Sequence, residues 1–545
     1  MIMDKLVKTT RMCWWGAAAV LLLALTLRLH GLRSGLPAIN DPDELMFQLG
    51  ALKMLSGKTL NPGWFGHPGL ITIYGLAIAD VLVFLAGLAT GHYADVKAFG
   101  VAVYADPAVI MFPGRVIMLV FSVGTVWLAW RFARRQWGEP AGLAAAAILA
   151  VSPVFVVWSQ VIRSDIVGCF FLLLGTLSAQ RIAEGRGRRR DLVLAALWTA
   201  CTIASKWPLA LLWLGVAGAL LFDARRRGRP LRQLLGRLAA YSALTILFLI
   251  AISPYLLLDF STVMQNVSGE AQTRHLGIGG GTPWLNLQWY LTDPLPRAFG
   301  VIAGALAAAG VVRLGRHPAA AAVIGPQLVG FAILLLSQHV VWERWALPLV
   351  VLLSLLAGEA MGWLRQWLRP RVPVGGGVLT AMLAFFMLAQ PIYETIIQGN
   401  ARNNDTRQRA SAWAVQNFRP NSKVLVEHFA FDLLPQPWTF YFPLGEAGCV
   451  NANDWLSGKV NYAQIAAKRG NRTNVDYGTL AREQEGSCQL DYAIVSQYDR
   501  YVAERATYPD EVATYERLIA RGRIVATFAP IAGQSAGPIV RIIAF

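Results

Sequence analysis

Apolar residues in this chain fall into long uninterrupted blocks rather than into alternating or half-apolar stretches. The blocks cover residues 12–30, 68–90, 110–132, 141–158, 165–182, 192–205, 207–222, 238–258, 298–312, 319–337, 345–364 and 375–393. A helix needs about 20 apolar residues to cross a bilayer, so each block is long enough, or nearly so. Between them lie strongly basic turns at 131–137, 181–190, 223–237, 313–317 and 365–371. Successive basic turns are separated by two apolar blocks, so all five can share one side of a membrane. Basic loops favour the cytoplasmic side.

The start of the chain is short and basic (Lys5, Lys8, Arg11). The block after it reads as an uncleaved first helix that begins inside. Placing Arg131 on that same side requires an even number of crossings before it, yet three blocks precede it. Block 68–90 is the one to set aside. It carries Asp80 near its middle, where a carboxylate is costly in hydrocarbon, and it opens with His67-Pro68-Gly69. It is expected to be a juxtamembrane or re-entrant helix. About eleven crossings remain, with the amino terminus inside and the carboxyl terminus outside. The expected fold class is therefore an all-α polytopic membrane bundle with juxtamembrane helices and a small C-terminal α/β soluble domain. The membrane domain spans 1–396, with outside loops at 31–109 and 259–297. The α/β domain spans 397–545.

The pattern changes in that last part. An amphipathic helix at Thr406–Phe418 is followed by strand-like runs at Lys423–Val426, Tyr492–Val495, Ile524–Phe528 and Ile539–Phe545, with helical periodicity at Tyr508–Ala520. No internal repeat of the kind that marks many transporters is visible.

Composition agrees with a lipid-solvated chain: 55% of residues are hydrophobic and 15% charged, where soluble domains average about 25% charged. The net charge of +17 invites a nucleic-acid reading. From residue 400 onward, however, 16 Lys/Arg face 14 Asp/Glu, so the excess sits in the short loops. Nothing resembles a basic groove for phosphodiester, and no nucleic-acid partner is expected. Cys13, Cys169 and Cys201 lie in apolar blocks and read as small hydrophobes. Cys449 and Cys488 lie in the polar tail, where a disulfide and two unrelated thiols are equally open readings. No metal-ligand spacing occurs among Cys and His. The sequon-like Asn471-Arg472-Thr473 carries little weight in a chain of bacterial appearance.

Candidate chemistry gathers in the loops expected outside. Asp43 and Glu44 open a helical stretch just after the first span. Their plainer role is a helix cap; their sharper one is a carboxylate taking a proton from an attacking hydroxyl. Arg163-Ser164-Asp165 opens another span, either as a local ion pair or with Arg163 facing a lipid phosphate. Lys206 sits between two blocks, against the positive-inside bias. Arg344 either pairs with its neighbour Glu343 or faces the same ligand. Arg274 and His67 lie in the two large loops. A departing phosphate needs positive charge and a hydroxyl nucleophile needs a base, and this set offers both.

On these residues the chain resembles the GT-C fold, polyprenyl-phosphate-sugar-dependent glycosyltransferases, which include protein O-mannosyltransferases and the aminoarabinose transferase of lipid A. The resemblance spans about 12–393 and is clearest over 30–210. It rests on the order Asp-Pro-Asp43-Glu44, His67-Pro68-Gly69, Gly114-Arg115, Arg163-Ser-Asp165, Ser205-Lys206 and Glu343-Arg344-Trp345-Ala-Leu-Pro348. It implies that Asp43 is catalytic with Glu44 in support. It implies that His67, Arg163, Lys206, Arg274 and Arg344 hold the donor phosphate, with Asp165 and Glu343 supporting them. Many members have Lys-Pro-Pro where this chain has His67-Pro68-Gly69, and a histidine is mostly uncharged at neutral pH. Some relatives use a divalent cation and others none; no ligand set for one is evident, and no other cofactor is expected.

The implied activity is inverting transfer of a sugar from a polyprenyl-phosphate donor to a hydroxyl on the outer face of a bacterial inner membrane. The partners are that donor, membrane lipids and an acceptor glycan, lipid or protein. A lipid-linked-sugar flippase or polytopic transporter is the alternative, and an envelope scaffold with a partner-binding tail is a third class.

Overall fold

The computed structural model describes residues 2–269, 275–372, 375–456 and 475–545. Each of the twelve apolar blocks is helical. The helices are α1 (Ile2–Leu29), α2 (Pro42–Gly57), α3 (Leu70–Ala89), α4 (Val96–Ala105), α5 (Ala108–Trp137), α6 (Glu139–Val151), α7 (Pro153–Trp158), α8 (Ser164–Ala183), α9 (Arg189–Ser205), α10 (Leu212–Arg226), α11 (Leu231–Ile252), α12 (Tyr255–Leu258), α13 (Phe260–Gly269), α14 (Pro283–Thr292), α15 (Pro294–Arg313), α16 (Pro318–Leu336), α17 (Leu347–Arg371), α18 (Gly376–Asn403) and α19 (Thr406–Asn417). Among the described residues, nine helical runs are long and apolar enough to cross a membrane. The chain is an integral membrane protein.

Local chemistry sets the breaks. Pro153 lacks an amide hydrogen and disfavours helix at the residue before it, so the block at 141–158 divides at Ser152 into α6 and α7. Asp41 caps α2 by accepting from the Asp43 amide at 3.1 Å, and Pro42 occupies the first helical position. At the bundle centre α6 presents Ala141 and Ala145 to Gly358 and Gly362 of α17. A β-carbon on Gly358 would lie 2.5 Å from the Ala141 carbonyl oxygen, so the two backbones touch there because the residues are small.

The basic turns meet at one end of the bundle. Arg135 pairs with Glu184, Arg227 donates to the Gly185 carbonyl, Arg237 pairs with Asp223, and the Trp137 ring contacts His317. The other end holds the candidate chemistry. Among the described residues, the long apolar runs besides α3 are α5, α8, α10 with the 3₁₀ turn Trp207–Leu211, α11, α15, α16, α17 and α18, while α1 from Trp14 and α6 are apolar but shorter.

Helix α3 is the exception. Its length and composition would let it cross, but connectivity forbids a single crossing. Arg115, near the start of α5, donates to the Leu32 and Ser34 carbonyls just beyond α1, so the chain leaves and returns at the same end. The objection from Asp80 does not hold: Asp80 is buried within the protein, accepting from Gln48 of α2 at 2.7 Å, and does not face lipid.

After α19 comes a six-stranded sheet of order β3-β2-β1-β4-β6-β5. The strands are β1 (Lys423–Val426), β2 (Thr439–Pro443), β3 (Cys449–Asn451), β4 (Tyr492–Val495), β5 (Arg523–Phe528) and β6 (Val540–Ala544). β1 runs parallel to β2 and β4; the other pairings are antiparallel. Val424 and Val426 face a core with Ala410 and Ala414 of α19. Leu425 faces the opposite core with Val512 and Leu518 of the helix Pro509–Arg521. This is the period of two that strands require. The sequence reading does not anticipate β2 and β3: β3 is a three-residue edge strand, and β2 is closely bounded by Pro437 and Pro443, which argue against a strand. Cys449 of β3 is disulfide-bonded to Cys488. The sheet is tied to the bundle where Arg407 donates to the Asn40 carbonyl and Asn40 exchanges hydrogen bonds with Gln408.

Candidate active site

The first turn of α2 splits its two acids between different tasks. Glu44 is fully buried and grips Arg115 with both oxygens, at 2.8 and 2.6 Å. It also accepts from the Ile162 amide at 2.8 Å. It therefore staples α2 to α5 and to the start of α8. The support expected of Glu44 is placed here in holding the helix that bears Asp43.

Asp43 points the other way, and 41% of its side chain is exposed. It is bonded to Arg163, and Arg344 lies 3.4 Å away. Burial alone would raise the Asp43 carboxyl. Arg163, then Arg344 and His67, outweigh burial and hold it below the ordinary carboxylate value.

All three guanidinium nitrogens of Arg163 are engaged by the two acids before and at the start of α2. It grips Asp41 through Nε and Nη2 and Asp43 through Nη1. Burial would lower its guanidinium, but Asp41 and Asp43 raise it well above the ordinary arginine value. The expectation places Arg163 on donor phosphate; in the structure its side chain lies against Asp41 and Asp43. Asp41, which the sequence reading passes over, completes this clamp. Its signal is the run Asp41-Pro42-Asp43, in which a capping acid precedes a second acid by two positions.

Beside Asp43 a cavity of about 200 Å³ opens. Phe331, Leu334, Leu335 and Pro348 form its apolar wall; Lys206, Arg344, Asp165 and His67 form its polar end. Lys206 is bonded to Asp165 inside the bundle. Burial pushes the Lys206 ammonium below its ordinary value, with Asp165 pulling it back. Arg344 stacks on Trp342 at 4.6 Å and lies 6.0 Å from the Trp158 ring. His67 is driven down to about 3, first by burial and then by Lys206 and Arg344. It is a neutral imidazole here and offers hydrogen bonds rather than charge. Pro68 and Gly69 place it: Gly69 sits at φ 56, and a β-carbon there would lie 2.4 Å from the Phe47 ring.

Glu343 does not pair with Arg344. It accepts from the Trp158 indole at 2.8 Å and is bonded to Arg297, which anchors the turn that carries Arg344. Arg297 and Trp158 belong to the supporting shell and carry no motif by which a sequence alone would single them out. Arg274 lies outside the described residues, as does Asn471-Arg472-Thr473. Among the described residues, no group of three or more His, Cys, Asp or Glu stands together as a metal site.

Residues 108–257, which carry Arg115, Arg163, Asp165 and Lys206, match the family described as dolichyl-phosphate-mannose-protein mannosyltransferase. By sequence, no curated protein matches. In three dimensions the chain is similar to ArnT from Cupriavidus metallidurans bound to undecaprenyl phosphate, at 12% identity and a TM-score of 0.56, over 98% of each chain. The apo state of ArnT matches over the same span at 14% identity and a TM-score of 0.56. It is also similar to the archaeal oligosaccharyltransferase AglB from Archaeoglobus fulgidus in complex with an inhibitory peptide and a dolichol-phosphate. That match has 13% identity and a TM-score of 0.50, over 93% of this chain and 72% of that one. The chain has their fold, the GT-C arrangement.

Proposed function

We propose that the protein transfers a sugar from a polyprenyl-phosphate donor to an acceptor hydroxyl, with inversion and with Asp43 as the general base. One observation carries this reading: Arg344 stands at the polar end of an apolar-walled cavity and also within 3.4 Å of Asp43. An amphiphile whose chain lies against Phe331, Leu334 and Leu335 would bring its phosphate to Lys206 and Arg344. Its anomeric carbon would then lie toward Asp43. Asp43 takes the proton of the acceptor hydroxyl as that oxygen bonds to the anomeric carbon. The bond from carbon to phosphate oxygen breaks, and its electron pair leaves on the phosphate, where Lys206 and Arg344 meet the charge. Asp43 is ionised at physiological pH, the state a proton acceptor needs.

The match to the mannosyltransferase family, and the undecaprenyl phosphate and dolichol-phosphate bound in the similar structures, support a polyprenyl-phosphate donor. The basic turns at the opposite end of the bundle support a site on the outer face of the inner membrane, with the amino terminus inside and the α/β tail outside.

The test uses purified protein in lipid vesicles with undecaprenyl-phosphate-linked sugar. Asp43→Asn is expected to abolish transfer while undecaprenyl phosphate still binds. Undiminished transfer by the variant would remove Asp43 from the mechanism, and label that only changes leaflet in the parent protein would favour a flippase.

A further inference from the structure

A second cavity, of about 360 Å³, lies on the other side of the same partition. Gln338 lines the apolar-walled cavity, while the next residues, His339 and Val340, line this one. Its remaining walls come from the strap that precedes α14 (His275, Gly279, Gly280) and from the tail (Glu504, Thr507, Tyr508). It exists because the tail is pinned to the strap. Glu504 accepts from the Gly277 amide at 2.6 Å, Arg500 donates to the Leu276 carbonyl at 2.8 Å, and the Val341 amide donates to the Gly279 carbonyl at 3.2 Å.

The cavity reaches the reacting groups through three contacts. The His275 ring lies 4.9 Å from that of Trp342, Arg344 stacks on Trp342 at 4.6 Å, and Arg344 approaches Asp43 at 3.4 Å. Arg344 thus lines the first cavity and is linked through Trp342 to the wall of the second, and the two cavities differ in character. One has an apolar wall beside a charged end, the other is lined mainly by hydroxyl, imidazole, carboxylate and backbone groups. Its volume is within the range of about 300–1,000 Å³ usual for small-ligand pockets.

We infer that this cleft between the strap and the tail is the acceptor subsite, and that it takes an uncharged, hydroxyl-rich glycan. The inference rests on the proposed transfer reaction and deepens it. A lipid tail is disfavoured because the walls are polar, and a phosphorylated or otherwise anionic group would meet the Glu504 carboxylate. Sugar hydroxyls both donate and accept, and so do these walls. Glu504 and the glycine carbonyls accept, and the Thr507 hydroxyl does either. His275 has its Nδ1 3.1 Å from the Leu276 carbonyl, which places the proton on Nδ1 and leaves Nε2 as an acceptor. Burial holds His275 below its ordinary value, so it is neutral at physiological pH.

The experiment uses the full chain in lipid nanodiscs. An array of neutral and phosphorylated oligosaccharides is applied to the parent protein, Thr507→Trp and His339→Trp, and undecaprenyl phosphate binding is measured in parallel. Both substitutions are at exposed positions, one on each wall. Each is expected to weaken neutral-oligosaccharide binding by about tenfold or more while undecaprenyl phosphate affinity stays within about twofold. The inference is overturned if neither variant changes oligosaccharide binding. It is also overturned if phosphorylated glycans bind better than neutral ones, or if the parent protein binds undecaprenyl phosphate and no glycan. A parent protein that fails to bind undecaprenyl phosphate would instead overturn the donor reading on which the inference stands.

Discussion

At the scale of single residues, adjacent acids with the same chemistry do different work because the helix turns them apart. Asp43 looks into an open site between two arginines, whereas Glu44 is sealed against a third. Their variants should therefore fail differently. Glu44→Gln leaves the Arg115 guanidinium buried with half its partner gone, and loss of a buried pair costs about 3–5 kcal/mol. Equilibrium unfolding should show that loss, whereas Asp43→Asn, at a half-open position, should cost less than about 1 kcal/mol. Equal stability of the two variants would contradict the division. The pH profile follows from the same environment. Asp43 is held below its ordinary 3.8, so it stays ionised above that value and its charge is lost only as pH falls through the depressed one. His67, at about 3, is neutral across the same range. Transfer by the parent protein should therefore hold steady from about pH 7 to pH 5. A limb between about pH 6 and 7 would point to a histidine as the base.

At the scale of elements, the site is assembled from places where helices begin. Asp43 opens α2, Asp165 opens α8, Lys206 precedes the turn into α10, and Arg344 lies in the 3₁₀ turn before α17. The turn that bears Arg344 is held by its neighbour Glu343, through Trp158 and Arg297. Glu343→Gln keeps an acceptor for the indole but removes the ion pair with Arg297. A cost of about 1 kcal/mol would weaken donor binding roughly fivefold. Titration with undecaprenyl phosphate measures this, and the turnover number should change little because Asp43 is untouched. A fall in turnover with donor affinity preserved would place Glu343 in the chemistry instead.

At the scale of the whole molecule, the tail is one wall of a shared structure and not an appendage. Arg407 and Gln408 hold it to the loop before α2, and Arg500 and Glu504 hold it to the strap before α14. Its own integrity includes the Cys449–Cys488 disulfide, which closes a separation of 39 residues. Removing such a bond costs about 2–4 kcal/mol. The double Cys449→Ser and Cys488→Ser variant should show an earlier thermal transition for the tail, read by limited proteolysis. Undecaprenyl phosphate binding should persist, since the apolar-walled cavity is built by the bundle alone. Loss of that binding would show that the bundle depends on the tail.

Long apolar blocks cannot be solvated by water, so the positions of the membrane helices were legible along the chain. Basic turns two blocks apart announced the two ends of the bundle, and a period-two alternation exposed β1, β4, β5 and β6. Charged residues at the edges of apolar blocks singled out Arg163, Lys206 and Arg344, because a charge there needs a partner or a ligand, and the acid pair opening the helical stretch after the first block singled out Asp43. Which partner each one has was not local information. Arg163 meets Asp41 across 122 positions and Arg344 meets Asp43 across 301. Such separations leave no spacing to read, so only packing of the helices could decide that Arg163 lies against Asp41 and Asp43 while Arg344 lines the cavity. The place of α3 and the burial of Asp80 were decided the same way, since the solvent of a helix face is set by its neighbours and not by its own sequence.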